Sequence, residues 1–356
     1  NGTTYAIPAA KGYTLQYCFL YNKDIADELG LDMESVKSLD DLTPIFAQVK
    51  SAYPDLVTVS RIGSDTIGLD CAMSIDTYYQ TFNLCDSVSL LNGSATAENY
   101  FASDAFREAT SLAWASAGYT DPDASANPDN NAAEENLFYS GQIFSTFGLY
   151  SMSTENVEKT LSAQYGRNFG CIALGKTCNA TNLPTMGIGY TCKHPSEAAQ
   201  MLNLMYTDEF VINTIFYGIE GKDYFREPDG MVSFPEGVNL SNMEYGLGTI
   251  NGMYGNQFIT YPHKNGTQPD DIDYMRELVG SAVFSPAYGF VFDTTDVAVN
   301  STAVANVIGQ YHTALISGDV DPEIYLPEFL DALEAAGVDE IVSAAQTQLD
   351  AYMKKG

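Results

Sequence analysis

The sequence predicts an α/β fold. Strand-like runs alternate with helix-like runs along the chain, the helix-like runs repeat apolar residues at three- and four-residue spacing, and Gly, Pro and Asn-Asp-Ser clusters separate them. At 356 residues the chain can bury a large core, and its length favours two domains or one large α/β unit. Its 16 Lys and Arg against 46 Asp and Glu give a net charge of -30, which argues against binding nucleic acid or an anionic membrane by charge. No run reaches the roughly 18 to 20 apolar residues of a membrane span, and the sequence shows no charged-then-apolar signal-peptide pattern. A chain that starts at Asn reads as a mature form or a fragment.

In chain order, 4–8 and 13–21 are rich in Tyr, Ile, Leu and Phe and read as strands. A short helix follows up to Gly30, and 38–52 is a helix with Thr43 and Pro44 near its start and Pro54 beyond its end. Residues 56–59 form a strand, and 62–92 give a weak pattern. Ser103 caps a helix through Phe106, Ala109, Leu112 and Ala113, which places the lone Trp114 with the core residues of that helix. Asn131 and Glu134 cap another helix that ends at Gly141. Strands at 143–147 and 169–174 flank a helix over 153–164.

The stretch 182–224 gives the clearest signal. A strand over 186–192 stops at His194-Pro195, and Ser196 is the expected cap of a helix with the stripe Ala198, Met201, Leu202 and Met205. Thr207-Asp208 is a second cap, the stripe resumes at Val211, Ile212, Ile215 and Phe216, and Gly218 closes it. A hairpin is expected around Asp229-Gly230, in a Gly- and Tyr-rich region over 218–262. Helices are expected over 270–280, 301–317, 326–336 and 339–353.

The words GIGYTC, HPSEAAQMLNLMYTDE and YGIEGKDYF resemble the extracellular solute-binding proteins of ABC importers, in particular the sugar-type branch that includes maltose-binding protein. The opening NGTTYAIPAAKGYTLQYCFLYNKDIADELGLD, SPAYGFVFD at 285–293 and GDVDPEIYLPEFLDALEAAGVDEIVSAAQTQLDAY are similar as well. The resemblance implies a periplasmic-binding-protein-like two-lobe fold of the class II type. Lobe two would comprise 4–185 and 260–356, 194–258 would belong to lobe one, and 186–193 would be the strand crossing the hinge. In the family the word matching YAIP follows a first block of βα units, so the resemblance also implies that the N-terminal part of lobe one is absent from this chain. The stripe over 201–215 would then be covered by a separate polypeptide, a second copy, or a rearranged 218–262 region.

The resemblance further implies capture of an extracellular solute, a mono- or oligosaccharide, by lobe closure, with permease subunits of an ABC importer as partners. It implies an extracellular, lipoprotein-anchored location and no enzymatic activity. The alternative is a cell-surface glycan-degrading or glycan-adhering protein. Sugar binding calls for flat apolar rings and for carboxylates, amides and hydroxyls, and 24 Tyr and 18 Phe supply rings in number. By position in the family words, Tyr150 in FGLYS, Lys11 and Tyr13 after YAIP, and Tyr288 and Phe290 in SPAYGF are the candidate ligand-binding residues, joined by Asp65 and Asp70 from the loop after the 56–59 strand. Lys11-Gly12-Tyr13 departs from the Glu that the family carries near this point.

No cofactor or metal is expected. His194, His263 and His312 lie in unrelated segments, HExxH, GxSxG and the P-loop are absent, and the six cysteines form no CxxC pair. Their spacing leaves open whether Cys171 and Cys178 pair. The Asp-rich 121–131 loop resembles a calcium loop, but Ala126 and Ala132 stand where an EF-hand needs Gly and a bidentate Glu, so no calcium site is expected there.

Overall fold

The computed structural model describes residues 4–12, 14–37, 41–60, 82–91, 93–121, 136–178, 184–238, 244–245, 253–263, 269–280, 285–287 and 289–354. The chain forms two compact units, each assembled from separate stretches. Unit 1 is Asn1–Leu15, Ser151–Gln164 and Cys178–Ala282, and unit 2 is Gln16–Tyr150, Tyr165–Thr177 and Val283–Gly356. These units differ from the lobes expected from the sequence, because 4–15, 151–164, 178–185 and 260–282 group with 194–258.

The first half of the chain carries β1 (Ile7–Pro8), β2 (Thr14–Asn22), α1 (Lys23–Leu29), α2 (Leu42–Ala52), β3 (Val57–Val59), β4 (Phe82–Cys85), β5 (Val88–Leu90), β6 (Ala97–Asn99), α3 (Asp104–Ser116), β7 (Ile143–Tyr150), α4 (Thr154–Tyr165) and β8 (Phe169–Cys178). The second half carries β9 (Thr185–Met186), α5 (Pro195–Thr207), α6 (Glu209–Tyr217), β10 (Phe225–Arg226), β11 (Val232–Ser233), α7 (Pro269–Gly280), α8 (Ala298–Ile316), α9 (Pro322–Ala335) and α10 (Val338–Met353).

Unit 2 holds a four-stranded sheet in the order β3-β7-β2-β8 and a three-stranded sheet β4-β5-β6. Helix ends follow the capping chemistry of the sequence. Asn22 Oδ1 accepts the Ile25 N–H at 3.2 Å to start α1, which ends at Gly30 with φ 63, and Ser103 Oγ accepts the Phe106 N–H at 3.1 Å to start α3. On α3 the buried stripe is Phe106, Ala109 and Ala113. Trp114 is not part of it. One residue past Ala113 on the helix, it is 46% exposed, which corrects its expected place in the core. Gly318, at φ 70, lies against the Ala113 carbonyl so closely that any Cβ there would overlap it.

Unit 1 gathers short elements through long-range hydrogen bonds. Ala9 N–H donates to the Pro184 carbonyl, and Ala10 exchanges backbone bonds with Gly255 and Gln257 at 2.8 and 2.7 Å. The Asn156 amide of α4 donates to Asp271 and Asp270 of α7 at 2.8 and 3.1 Å, with Asp271 fully buried. The hairpin around Gly230, with φ 84, is β10 paired to β11.

In the stretch 182–224 the structure departs from expectation twice. The strand is only Thr185–Met186, paired to Ile7–Pro8, because its partner is two residues long and Gly187 and Gly189 bring no side chain to pack. The following helix starts at Pro195, with His194 in the cap position and no side-chain cap bond, so Ser196 is inside the helix. Asp208 caps α6 through the Val211 N–H at 3.1 Å and Gly218 closes it at φ 89, as the sequence indicates.

The stripe divides at this junction. Met205 and Ile212 are buried with Phe216, Tyr217, Tyr224 and Val232, and Ile259 and Tyr261 pack against them, so the 218–262 region supplies the cover. The buried Asn213 side chain locks that region down, donating to the Ile259 carbonyl at 3.0 Å and accepting the Tyr261 N–H at 2.7 Å. Met201, one turn before Met205, is 45% exposed. Ile212→Ala should therefore lower stability by about 2–5 kcal/mol, while Met201→Ala should stay within about 0.5 kcal/mol of the parent, measured by denaturant titration of each variant. Equal effects would contradict the division.

Candidate functional site

The chain passes between the units at Leu15/Gln16, Tyr150/Ser151, Gln164/Tyr165, Thr177/Cys178 and Ala282/Val283. Within unit 2, β2 is antiparallel to β7, with Gln16 opposite Tyr150 and Tyr21 opposite Ser145, and β3 is parallel to β7. Lys23 N–H donates to the Asn168 carbonyl at 2.9 Å, which sets the start of β8 beside the end of β2. So β3, β7 and β8 run the same way, and their carboxyl ends share one edge of the sheet. Open α/β sheets bind ligands at that edge.

Tyr150 is the last residue of β7 and stands at this edge, partly buried. Its ring folds back over Gly148, where a Cβ would come within 2.7 Å of the Tyr150 Cε2, so a side chain at 148 would displace the ring. Its hydroxyl is hydrogen-bonded to Tyr139. Burial, and next the neighbouring Tyr139, hold the Tyr150 phenol well above its ordinary pKa, so it stays neutral. Tyr139 in turn stacks on Tyr165, with centroids 4.2 Å apart and planes 3° from parallel, and Phe169 meets both rings edge-on. Tyr165 keeps 36% of its surface exposed. Tyr139, on the helical turn before β7, and Tyr165, at the end of α4, thus form a stacked pair bordered by Phe169, and Tyr139 neighbours the Tyr150 phenol.

The other residues singled out from the sequence have different settings. Lys11 is partly exposed between two pinned neighbours, Ala10 on Gly255 and Gln257 and Gly12, whose N–H donates to Gln257 Oε1 at 3.2 Å. Phe290 is buried in the unit 2 core with its ring 5.5 Å from that of Tyr352. Tyr13, Asp65, Asp70 and Tyr288 lie outside the described residues, as do 122–131 of the Asp-rich loop. Tyr139 and Tyr165 were missed by sequence reasoning. The signal available was FYSG and YGR, two Tyr residues each at a helix end shortly before a strand.

An open recess of about 640 Å³ lies at the opposite edge of this sheet, between Tyr53, Pro54, Leu56, Val57, Gln142 and Ile143. It sits at the amino ends of β3 and β7, so the topological rule does not make it the ligand site. Among the described residues no group of three or more His, Cys, Asp or Glu is placed to hold a metal ion, and no helix is long and apolar enough to cross a membrane.

A domain of unknown function, DUF3502, matches residues 286–354. A carbohydrate ABC transporter substrate-binding protein of Streptococcus pneumoniae serotype 4 is 26% identical over 362 residues, covering 99% of this chain and 70% of that protein. Among solved structures, the N-glycan transport solute binding protein NgtS from Streptococcus pneumoniae superposes with a TM-score of 0.81 at 23% identity, over 99% of this chain and 76% of its own. The chain has the two-lobe solute-binding-protein fold. NgtS has also been solved in complex with Man5GlcNAc, and that form matches with a TM-score of 0.70 at 22% identity, over all of this chain and 76% of its own. An HMO-binding, ABC-transporter-associated solute-binding protein from Bifidobacterium longum infantis matches at 15% identity and a TM-score of 0.62, over 99% of this chain and 77% of its own. The fold expected from the sequence words is thus the fold observed, and these relatives carry the names of transport proteins, not of enzymes.

Because the Tyr150 hydroxyl bonds Tyr139 in a partly buried setting, Tyr150→Phe should cost about 0.5–1.5 kcal/mol of stability, read as a lowered denaturation midpoint. No change would mean that the hydroxyl is bonded to water instead.

Proposed function

We propose that this chain is the substrate-binding component of an ABC importer that captures an extracellular mono- or oligosaccharide. The observation that carries the reading is likeness along 99% of the chain to a carbohydrate ABC transporter substrate-binding protein, with the same coverage in the fold of NgtS. Tyr150 at the carboxyl end of β7, with Tyr139 beside its phenol, supports it, since rings cover the C–H faces of a sugar and phenol hydroxyls bond its OH groups.

In this proposal Tyr150 presents the ring of a sugar platform, Lys11 and Tyr13 contribute polar contacts, Asp65 and Asp70 accept sugar hydroxyl protons in hydrogen bonds, and Tyr288 adds a second ring. Phe290, buried as it is, acts by anchoring its segment to Tyr352. The chain performs no catalysis, works by closure of two lobes, delivers its solute to permease subunits, and operates outside the cytoplasmic membrane with a lipoprotein anchor. The glycan-degrading alternative has no specific residue in its favour.

Calorimetry with a panel of neutral mono- and oligosaccharides should give a saturable heat without product for one member. Tyr150→Ala should then weaken binding by about 1–3 kcal/mol, whereas Tyr150→Phe, which keeps the ring, should bind nearly as the parent does. Release of shorter saccharides during incubation would overturn the transport reading in favour of a hydrolase.

A further inference from the structure

His263 is buried, with 5% of its surface exposed, and its Nδ1 has no hydrogen-bond partner. It lies in unit 1 between aromatic rings, its centroid 6.4 Å from Tyr217 of α6 and 6.1 Å from Phe234 just after β11. The backbone on each side is tied down: Val232 N–H donates to the Pro262 carbonyl at 2.8 Å, and Val232 and His263 form a parallel bridge. Of these neighbours, Val232 and Phe234 are among the residues that cover the α6 stripe. An imidazole is a costly choice at such a point, because a buried polar nitrogen without a partner forfeits its hydration.

We propose that His263 makes the small core of unit 1 acid-labile, so that taking up a proton at its imidazole loosens the packing of α6 against the 224–234 hairpin and the 259–263 segment. The imidazolium would need two hydrogen-bond acceptors, and no carboxylate is bonded to Nδ1 to serve as one.

The charged and titratable groups on the packed elements are already engaged. On the α6 and hairpin side, Glu209 pairs with Arg226 at 3.7 Å, and Arg226 lies 3.9 Å over the Tyr261 ring. Glu227 accepts from Ser233 Oγ, and Asp223 accepts the Ile219 N–H, the largest cause of its lowered pKa, and pairs with Lys222. The Tyr217 hydroxyl donates to the Tyr261 carbonyl at 2.9 Å, and burial is the main cause that raises the pKa of both Tyr224 and Tyr261.

The direction of the effect follows from burial. Desolvation lowers the His263 pKa from 6.5 to about 4, so the packed form binds its proton less readily than the opened form. The contribution to stability is therefore complete above pH 6.5 and falls away as the pH drops toward 4, reducing the ratio of packed to opened core on the order of 100-fold by pH 4. The inference concerns the chain's own packing and stands whichever solute it binds.

Two measurements on the full chain test it. In the unsubstituted chain, the His263 ring proton followed by NMR from pH 7.5 to 3.5 should titrate near 4, and a midpoint at or above 6.5 would overturn the proposal. In parallel, amide exchange corrected for intrinsic rates should show protection over 211–217 falling on the order of 100-fold more between pH 7 and 4 than in His263→Phe. Equal losses in the two proteins would assign the acid response to carboxylates and overturn the proposal. Should His263→Phe fail to fold, the NMR titration of the unsubstituted chain decides alone.

Discussion

The ladder between β2 and β7 is the constraint on which unit 2 depends. Six consecutive pairs, from Gln16 with Tyr150 to Tyr21 with Ser145, fix the register of the two central strands. Since side chains alternate, a slip of one residue would turn Phe19, which packs on Phe46 and Phe147, out of the core. The same register puts Tyr150 at the end of β7, opposite the residue at which the chain enters unit 2. Core packing and the placement of the candidate site are thus one decision, made by backbone pairing. Buried hydroxyls reinforce it at the neighbouring strand, where Ser145 Oγ donates to the Thr58 carbonyl at 2.7 Å.

Unit 1 solves a different problem. Its strands are two residues long, too short to define a sheet core, so its order comes from side chains that reach across the sequence. Asn213 joins α6 to 259–261, Asn156 joins α4 to α7, and Tyr206 donates its hydroxyl to the Pro8 carbonyl at 2.7 Å. The Asn213 and Asn156 amides are valuable because they are removed from water with their partners present, whereas the exposed Tyr206 bond contributes less. The buried His263 stands apart from this pattern, with one nitrogen buried and unpaired.

Much of the fold was legible in the sequence because its signals are local. The Ser103 and Asp208 caps and the Gly30 and Gly218 stops are decided within one helical turn. What the sequence hid depended on partners far along the chain. The length of the strand at 185–186 was set by the two residues available in β1, and the exposure of Trp114 by a rotation of about 100° from the buried stripe, a distinction that counting apolar residues does not make. The division of the 201–215 stripe could not be read from its periodicity, because periodicity reports which face is apolar and not what covers it.

The candidate site was legible in part for the same reason. Position in a recognised word pointed to Tyr150, but Tyr139 and Tyr165 come from segments whose only relation to it is tertiary. Their presence changes the physical argument. A lone exposed tyrosine offers one mobile ring, and ordering it on binding costs side-chain entropy. A tyrosine bonded to a second that is stacked on a third is held before any ligand arrives, and such preorganisation lowers the cost of association. The Tyr150 phenol is also neutral, held above its ordinary pKa by burial. In a chain of net charge -30 the long-range field gives no assistance to an anionic solute, and beyond about 8 Å salt screens it in any case. Discrimination must then come from short-range contacts, ring against C–H face and hydroxyl against hydroxyl, which is the recognition that an uncharged saccharide can use.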